Sequence, residues 1–364
     1  MIKRLFSPIY DFLNDSRATG IVLIICTITS LLLANSPIQE SWLQGWSFSE
    51  HWINDGLMVL FFFMAGMEIK RELISGELSS VQQATLPVLA AVGGMLLPAG
   101  IFALFNHGTP YENGWGIPMA TDIAFSLGVI SLLGKRVPLA LKIFLTALAI
   151  IDDLGAIVTI AVFYTATLHQ IYLLAAGGIL MGLFVMNKFK VQRLIFYFIP
   201  GIILWYCILH SGIHATVAGV LLAFTIPLNK LDNLIHHLHK PVNFIIMPLF
   251  ALANTAIVIP TPLGPILQHT ISYGIIAGLV LGKPLGIFLF SFIAVKTRIA
   301  ALPSQSNWSQ LLGVGLLAGI GFTMSIFIAT LAYTDVNWQV YSKIAVMIAS
   351  LIAGIAGYLY LRKR

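Results

Sequence analysis

Charge is what this sequence has least of. Only 9% of its 364 residues are Asp, Glu, Lys or Arg, against about 25% in a soluble domain. That scarcity excludes an ordinary globular enzyme. Cysteine is nearly absent too: Cys26 and Cys207 both lie within apolar runs. Two thiols so placed make neither a disulfide framework nor a metal site, and they read as buried and inert. No small-x-small cleavage site follows the first apolar run, so that run is not read as a signal peptide. No nucleotide-binding motif is visible, which removes nucleotide hydrolysis as an energy source, and nothing implies an organic cofactor.

What the chain does have is hydrophobicity, at 58% of its residues. Apolar runs long enough to cross a bilayer recur along its whole length. Twelve are counted, at 18–36, 55–75, 85–106, 115–133, 138–164, 170–187, 194–209, 211–227, 241–260, 273–295, 309–333 and 338–361. Their links are short, so residues 1–364 read as one all-α integral membrane domain. Ahead of the first run, Ile2, Leu5, Phe6, Ile9, Phe12 and Leu13 fall on one helical face. Residues 1–16 are therefore expected to form an amphipathic helix lying on the membrane surface.

The formal net charge of +6 reports topology rather than a nucleic-acid partner. Lys3, Arg4, Arg17, Lys70, Arg71, Lys135, Arg136, Lys188, Lys190, Arg193, Lys230, Lys240, Lys296, Arg298 and Arg362 fall in the termini or the even-numbered links. The odd-numbered links carry Glu40, Glu50, Glu112 and Asp335 instead. By the positive-inside rule both termini are cytoplasmic, and the longest odd link, 37–54, is external.

Two spans look broken. The fourth, "WGIPMATDIAFSLGVISLLG", is interrupted by Pro118 and Asp122. The eleventh, "LLGVGLLAGIGFTMSIFIATL", holds Gly313, Gly315, Gly319 and Gly321. Pro removes a backbone donor and Gly weakens a helix. Unwound backbone at that depth is tolerated only against protein or a water-filled cavity. Interrupted spans at corresponding places in two halves point to a secondary-transporter site, although glycines also permit close helix packing.

The chemistry sits in three spans: Asp122 in the fourth, Asp152 and Asp153 in the fifth, and Lys283 in the tenth. Ion pairs that merely lock helices together are the bland reading, but three carboxylates facing one ammonium leave negative charge for a cation or protons to neutralise. Intramembrane ionisable groups usually mark ion or proton pathways. Adjacent helical residues point about 100° apart. One of the two neighbouring aspartates is therefore expected to bind a cation while the other pairs with Lys283. Coupled carboxylates titrate as a pair, so protons and a hard monovalent cation compete for the same oxygens.

At this point the motifs become recognisable. "NDGLMVLFFFMAGMEIKREL", "ATDIAFSLG", "LALKIFLTALAIIDDLGAI", "SGIHATVAG", "GKPLGI" and "GIGFTMSIFIA", in that order, resemble the NhaA family of bacterial sodium/proton antiporters from about residue 8 to the C-terminal end. The resemblance implies twelve transmembrane helices with inverted-topology repeats at 85–164 and 273–361, and two broken, crossing helices. It implies electrogenic extrusion of sodium or lithium in exchange for external protons, in a bacterial inner membrane. Asp153 resembles the principal sodium ligand and Asp152 its proton-carrying neighbour, which also takes part in the sodium site. Asp122 and Lys283 resemble the charges that compensate the positive and negative ends of the broken helices, and Thr121 lines the site. Glu68, Glu72, His214 and the "HHLHK" segment with His236 match the family's pH-sensing positions, and a homodimer is implied, joined through the external link.

Some of these positions have plainer explanations. Glu68 and Glu72 share a helix face that Lys70 and Arg71 partly neutralise, which is also how a solvated face looks. His214 also suits a satisfied helix end. The histidines of "HHLHK" lack a carboxylate or cysteine to complete a metal site, and Ile235 stands where the family has a glutamate, which bears on pH response rather than transport chemistry. An intramembrane aspartyl protease would need Tyr-Asp and Gly-x-Gly-Asp motifs, and neither is present. A channel is disfavoured by a lysine opposite the carboxylates. Proton-coupled exchange of another monovalent or organic cation is the alternative within transporters.

Overall fold

A computed structural model describes residues 18–47, 49–165, 167–260, 262 and 264–364. The expected amphipathic helix at 1–16 lies outside the described residues. Among those described, every regular element is helical. In chain order they are α1 (Ala18–Ala34), α2 (Gln39–Ser47), α3 (Met58–Ser75), α4 (Val81–Asn106), α5 (Ile123–Leu132), α6 (Leu139–Phe163), α7 (Gln170–Lys188) and α8 (Ile195–Ser211). There follow α9 (Thr216–Thr225), α10 (Leu228–Pro241), α11 (Met247–Asn254), α12 (Thr270–Ala277), α13 (Lys283–Lys296), α14 (Trp308–Ala318), α15 (Phe322–Ala332) and α16 (Val336–Arg362). A 3-10 segment, Glu112–Met119, precedes α5, and single π-helical turns at Ile53–Leu57, Val242–Ile246 and Gly278–Gly282 lead into α3, α11 and α13.

Six helices among the described residues are long and apolar enough to cross a membrane, or eight if two bent pairs each count as one span. One bent pair is α14 with α15, which turn 46° about their break. Four of the twelve expected runs fall outside this set: α8 and α9 are apolar but short, the end of α3 carries Glu68, Lys70, Arg71 and Glu72, and the run at 241–260 is divided between a π-helical turn and the short α11.

The chain divides into two compact units. The first takes in described residues up to 29, then Ser80–Ala156 and Ile257–Arg364. Here α4 runs antiparallel to the α12–α13 arm. The close approach is made by glycines at every fourth position, Gly274, Gly278, Gly282 and Gly286. A Cβ on Gly286 would collide with the Gly93 carbonyl, and one on Gly282 would lie 3.0 Å from Pro98 Cα. Small residues let backbones approach in this way, and dispersion between close-packed atoms then holds them. Helix starts here are capped locally. Asn307 and Gln310 form a reciprocal capping box on α14, and Asp335 accepts from Asn337 and Trp338 on α16.

The second unit comprises Ser30–Ser79 and Ile157–Ala256. Its spine is a parallel pair, α3 with α9. Gly219 packs on the backbone at Val59 and Phe63, and Gly66 on Val220 and Ala223. At the far end Lys70 is buried and donates to the Phe224 and Ile226 carbonyls, at 2.8 and 2.5 Å. Lys70 is thus not the solvated neutraliser of Glu68 and Glu72 that its sequence position suggested. Its ammonium ends α9, whose last carbonyls have no intrahelical partner. Lys70→Met, which keeps the stem but not the donors, should lower stability by about 1–3 kcal/mol. Thermal unfolding in detergent would show this as a lower midpoint, and Lys70→Arg should recover part of it.

Candidate functional site

The breaks in the fourth and eleventh spans leave four helix ends inside the first unit. The 3-10 segment ends at Met119 and α5 begins at Ile123; α14 ends at Ala318 and α15 begins at Phe322. Each end exposes backbone groups that water would ordinarily satisfy. Three side chains do so instead.

Asp122 serves both N-terminal ends. It is the N-cap of α5, with its Oδ1 accepting from Phe125 N at 3.0 Å. Its Oδ2 accepts from Thr323 N at 2.9 Å and from the Thr323 hydroxyl, both on α15. The cap residue of α15 itself is Gly321, which has no side chain to cap with. A Cβ there would lie 3.1 Å from the Ala120 carbonyl and collide with Ser325 Oγ. The crossing is tight enough to require glycine, and Asp122 supplies the missing cap from the other span. A backbone bond from Asp122 N to Ile320 O, 2.7 Å, and one from Ser325 Oγ to Ile117 O, 2.7 Å, complete the stitching.

The C-terminal ends are met by Lys283 and Thr121. The buried Lys283 ammonium donates to the Met119 carbonyl. The Thr121 hydroxyl lies 3.0 Å from the Ala318 carbonyl and 2.7 Å from Asp152 Oδ2. Lys283 also pairs with Asp152 Oδ2 at 2.8 Å, both side chains being fully buried. The lysine reaches this point from the first residue of α13, directly after the π-helical turn Gly278–Gly282. Such turns shift the side-chain phase of a helix and are frequent at functional sites.

Asp153 is buried beside this pair, on α6, and close enough to attract the Lys283 ammonium. Asp152 Oδ1 is buried without a hydrogen-bond partner. The cluster thus holds one carboxylate surrounded by donors (Asp122) and one with an open oxygen (Asp152). Among the described residues, no three His, Cys, Asp or Glu side chains converge as a metal-holding group.

Thr121, Asp122, Asp152, Asp153 and Lys283 therefore lie together, and Thr323 belongs with them although sequence reading passed over it. Its one signal was position: a hydroxyl two residues after a glycine in "GIGFT" suits a helix start.

Glu68, Glu72, His214 and His236 belong to the second unit. Arg71 and Glu72 lie near Glu68. Glu72 accepts from Glu77 N at 3.0 Å and from Arg71 at 3.3 Å, while Arg71 reaches Asp232 of α10 at 3.8 Å. His214 hydrogen-bonds to the Tyr164 backbone and faces Asp55. His236 is exposed on α10, where Ile235 is buried. Nearby His239 has its imidazole pushed below the ordinary range by burial, then by His236 and Lys240.

Removing Lys283 would leave Asp152 as an uncompensated buried charge, and breaking one partner of such a pair costs about 3–5 kcal/mol. Lys283→Ala should therefore lower the thermal midpoint in detergent and impair function. Lys283→Arg should retain part of both. An alanine form as stable and as active as the parent would refute the charge arrangement.

The Na+/H+ antiporter 1 family matches residues 10–361. Over 97% of this chain and 95% of its own length, the Na(+)/H(+) antiporter NhaA of Flavobacterium psychrophilum is 52% identical. That of Cytophaga hutchinsonii is also 52% identical, over 97% and 94%. That of Dechloromonas aromatica is 50% identical, over 96% and 94%. With the crossed helix ends, the buried Asp152–Lys283 pair and similarity of this extent, the chain belongs to the Na+/H+ antiporter 1 family.

Proposed function

We propose that this chain is a multi-pass bacterial inner-membrane transporter, not an enzyme, that exchanges internal sodium or lithium for external protons. The observation that carries the reading is the buried Asp152–Lys283 pair with an open Asp152 oxygen, one residue from Asp153. Asp153 is the principal sodium ligand. Asp152 contributes its open oxygen and carries protons, leaving Lys283 as its charge changes. Sodium and protons are the substrates, competing for the same carboxylate oxygens. Coupling follows from charge: the unloaded, doubly ionised site resists reorientation, because a net charge would have to cross a low-dielectric barrier. Exchange is then electrogenic and driven by the proton gradient.

The chain as a whole forms one antiporter domain of twelve spans with both termini cytoplasmic. Two sets of contacts in the first unit support this topology. Links predicted external meet one another: Tyr333 Oη donates to the Tyr111 carbonyl at 2.8 Å, and Tyr111 packs edge-on to Trp338 and His269. Segments predicted cytoplasmic also meet, with Arg136 donating to the Arg362 carbonyl at 2.9 Å. The 3-10 segment and α15 run in opposite senses between these contacts, as inverted repeats at 85–164 and 273–361 require. The second copy of a homodimer docks at the external link 37–54, where α2 presents Trp42 and Trp46 edge to face.

Asp153→Asn removes a charge and nearly preserves volume. It should abolish exchange while the protein still inserts and folds, as read by pH-gradient dequenching in everted vesicles with sodium, lithium and potassium. Exchange at the parental apparent sodium affinity would refute the assignment. Asp152→Asn should weaken proton coupling, and fully electrogenic transport by that variant would refute its proton role.

Regulation by pH is assigned to Glu68 and Glu72, with His214 and His236 contributing. Because Ile235 is apolar and buried, the two glutamates carry more of the response. Glu68→Gln with Glu72→Gln should displace the activity–pH curve without lowering maximal turnover. An unchanged curve would return sensing to the aspartate site.

A further inference from the structure

Asp122 and Asp152 sit at the same crossing, yet they differ in the number of donors each receives. An ionised carboxylate offers about four lone-pair sites. Asp122 receives hydrogen bonds from Phe125 N on Oδ1 and from Thr323 N and the Thr323 hydroxyl on Oδ2. The Oδ2 that faces α15 is fully occupied. Asp152 Oδ2 receives Lys283 and shares the single Thr121 hydroxyl proton with the Ala318 carbonyl, and Asp152 Oδ1 has no hydrogen-bond partner among the described residues.

Two of these three donors are backbone amides, fixed by the two helix starts. The third, the Thr323 hydroxyl, depends on a side chain. Thr323 is buried, so no water stands ready to replace it. Nothing in helix capping requires it, because Thr323 N already reaches Asp122 Oδ2 at 2.9 Å.

We propose that Thr323 is a specificity-determining positioning residue. Its hydroxyl fills the second lone pair of Asp122 Oδ2 and holds that oxygen out of the ion's coordination, so the cation is bound by the Asp152–Asp153 side of the cluster alone. Excluding a third carboxylate keeps the negative charge presented to the cation low enough for protons to displace it. It also limits the number of oxygens a cation meets, on which selection among lithium, sodium and potassium depends, since hard cations are sorted by the size, ligand number and rigidity of their site. The proposal rests on the assignment of Asp152 and Asp153 made above.

The test uses the full chain in everted vesicles, with dequenching measured over a concentration series of sodium, lithium and potassium. Thr323→Val and Thr323→Ala both remove the hydroxyl, so a packing failure in one does not decide the outcome. In each, the apparent KM for at least one cation should move by about tenfold, as expected for losing a hydrogen bond to a charged group. The preference among the three ions should change with it, while maximal turnover falls less than KM moves. Thr323→Ser restores the donor and should restore the parental preference. Unchanged KM values for all three ions in the hydroxyl-free variants would overturn the proposal, as would a serine variant that behaves like valine. Asp153→Asn separates the two ideas. If it retains exchange, the ion-site reading fails; if it abolishes exchange and Thr323→Val changes nothing, only the role of Thr323 fails.

Discussion

Four helix ends meeting where water cannot reach them are the constraint on which the rest of this molecule depends. An unsatisfied backbone group in hydrocarbon costs several kcal/mol, and two broken spans expose such groups in opposite polarity. The chain answers with one carboxylate for the two N-terminal ends and one ammonium plus one hydroxyl for the two C-terminal ends. Charge is otherwise scarce in these spans, so the ionisable groups are not ornaments on a finished fold. Without them the crossing would not close.

Closing the crossing also accounts for the chemistry on which the proposed transport site rests. Lys283 cannot satisfy the Met119 carbonyl and stay unpaired, because an isolated buried ammonium is too costly. Asp152 therefore stands against it at 2.8 Å. The pairing uses one Asp152 oxygen and leaves the other buried and open. A group held in that condition gains by binding a proton or a cation, and Asp153 on the same helix adds a second carboxylate. Structural demand and the proposed transport chemistry thus share one lysine, which is why its removal is expected to bear on stability and exchange together.

How much of this was legible in the sequence varied with the kind of signal. Charge placement along the chain predicts a sidedness for the links, because Lys and Arg carry a position-dependent penalty that survives in a single sequence. Asp122, Asp152, Asp153 and Lys283 were conspicuous because each is expensive where it stands. Thr323 was not, because a threonine in an apolar helix costs little and signals nothing until its partner is known. Lys70 was misjudged for the opposite reason. A lysine near a helix end reads as solvated, and only the arrangement of α3 beside α9 shows its ammonium ending the neighbouring helix. The glycines at 274, 278, 282 and 286 were readable as a packing stripe, yet broken-span logic drew attention to the eleventh span instead. The π-helical turn before Lys283 left no trace at all in composition.

The same reasoning ranks the acidic residues by what surrounds them rather than by their number. Asp122 is crowded by donors whose positions are fixed by two helix starts, so its charge is balanced within the protein and it is poorly suited to carry cargo. Glu72 is tied to the Glu77 amide and to Arg71 at the end of its own helix, and it too is largely occupied. Asp152 combines full burial, a counter-charge at 2.8 Å and an oxygen with no hydrogen bond. A carboxylate in that state is unfinished, and in the proposed exchange either a proton or a metal cation completes it.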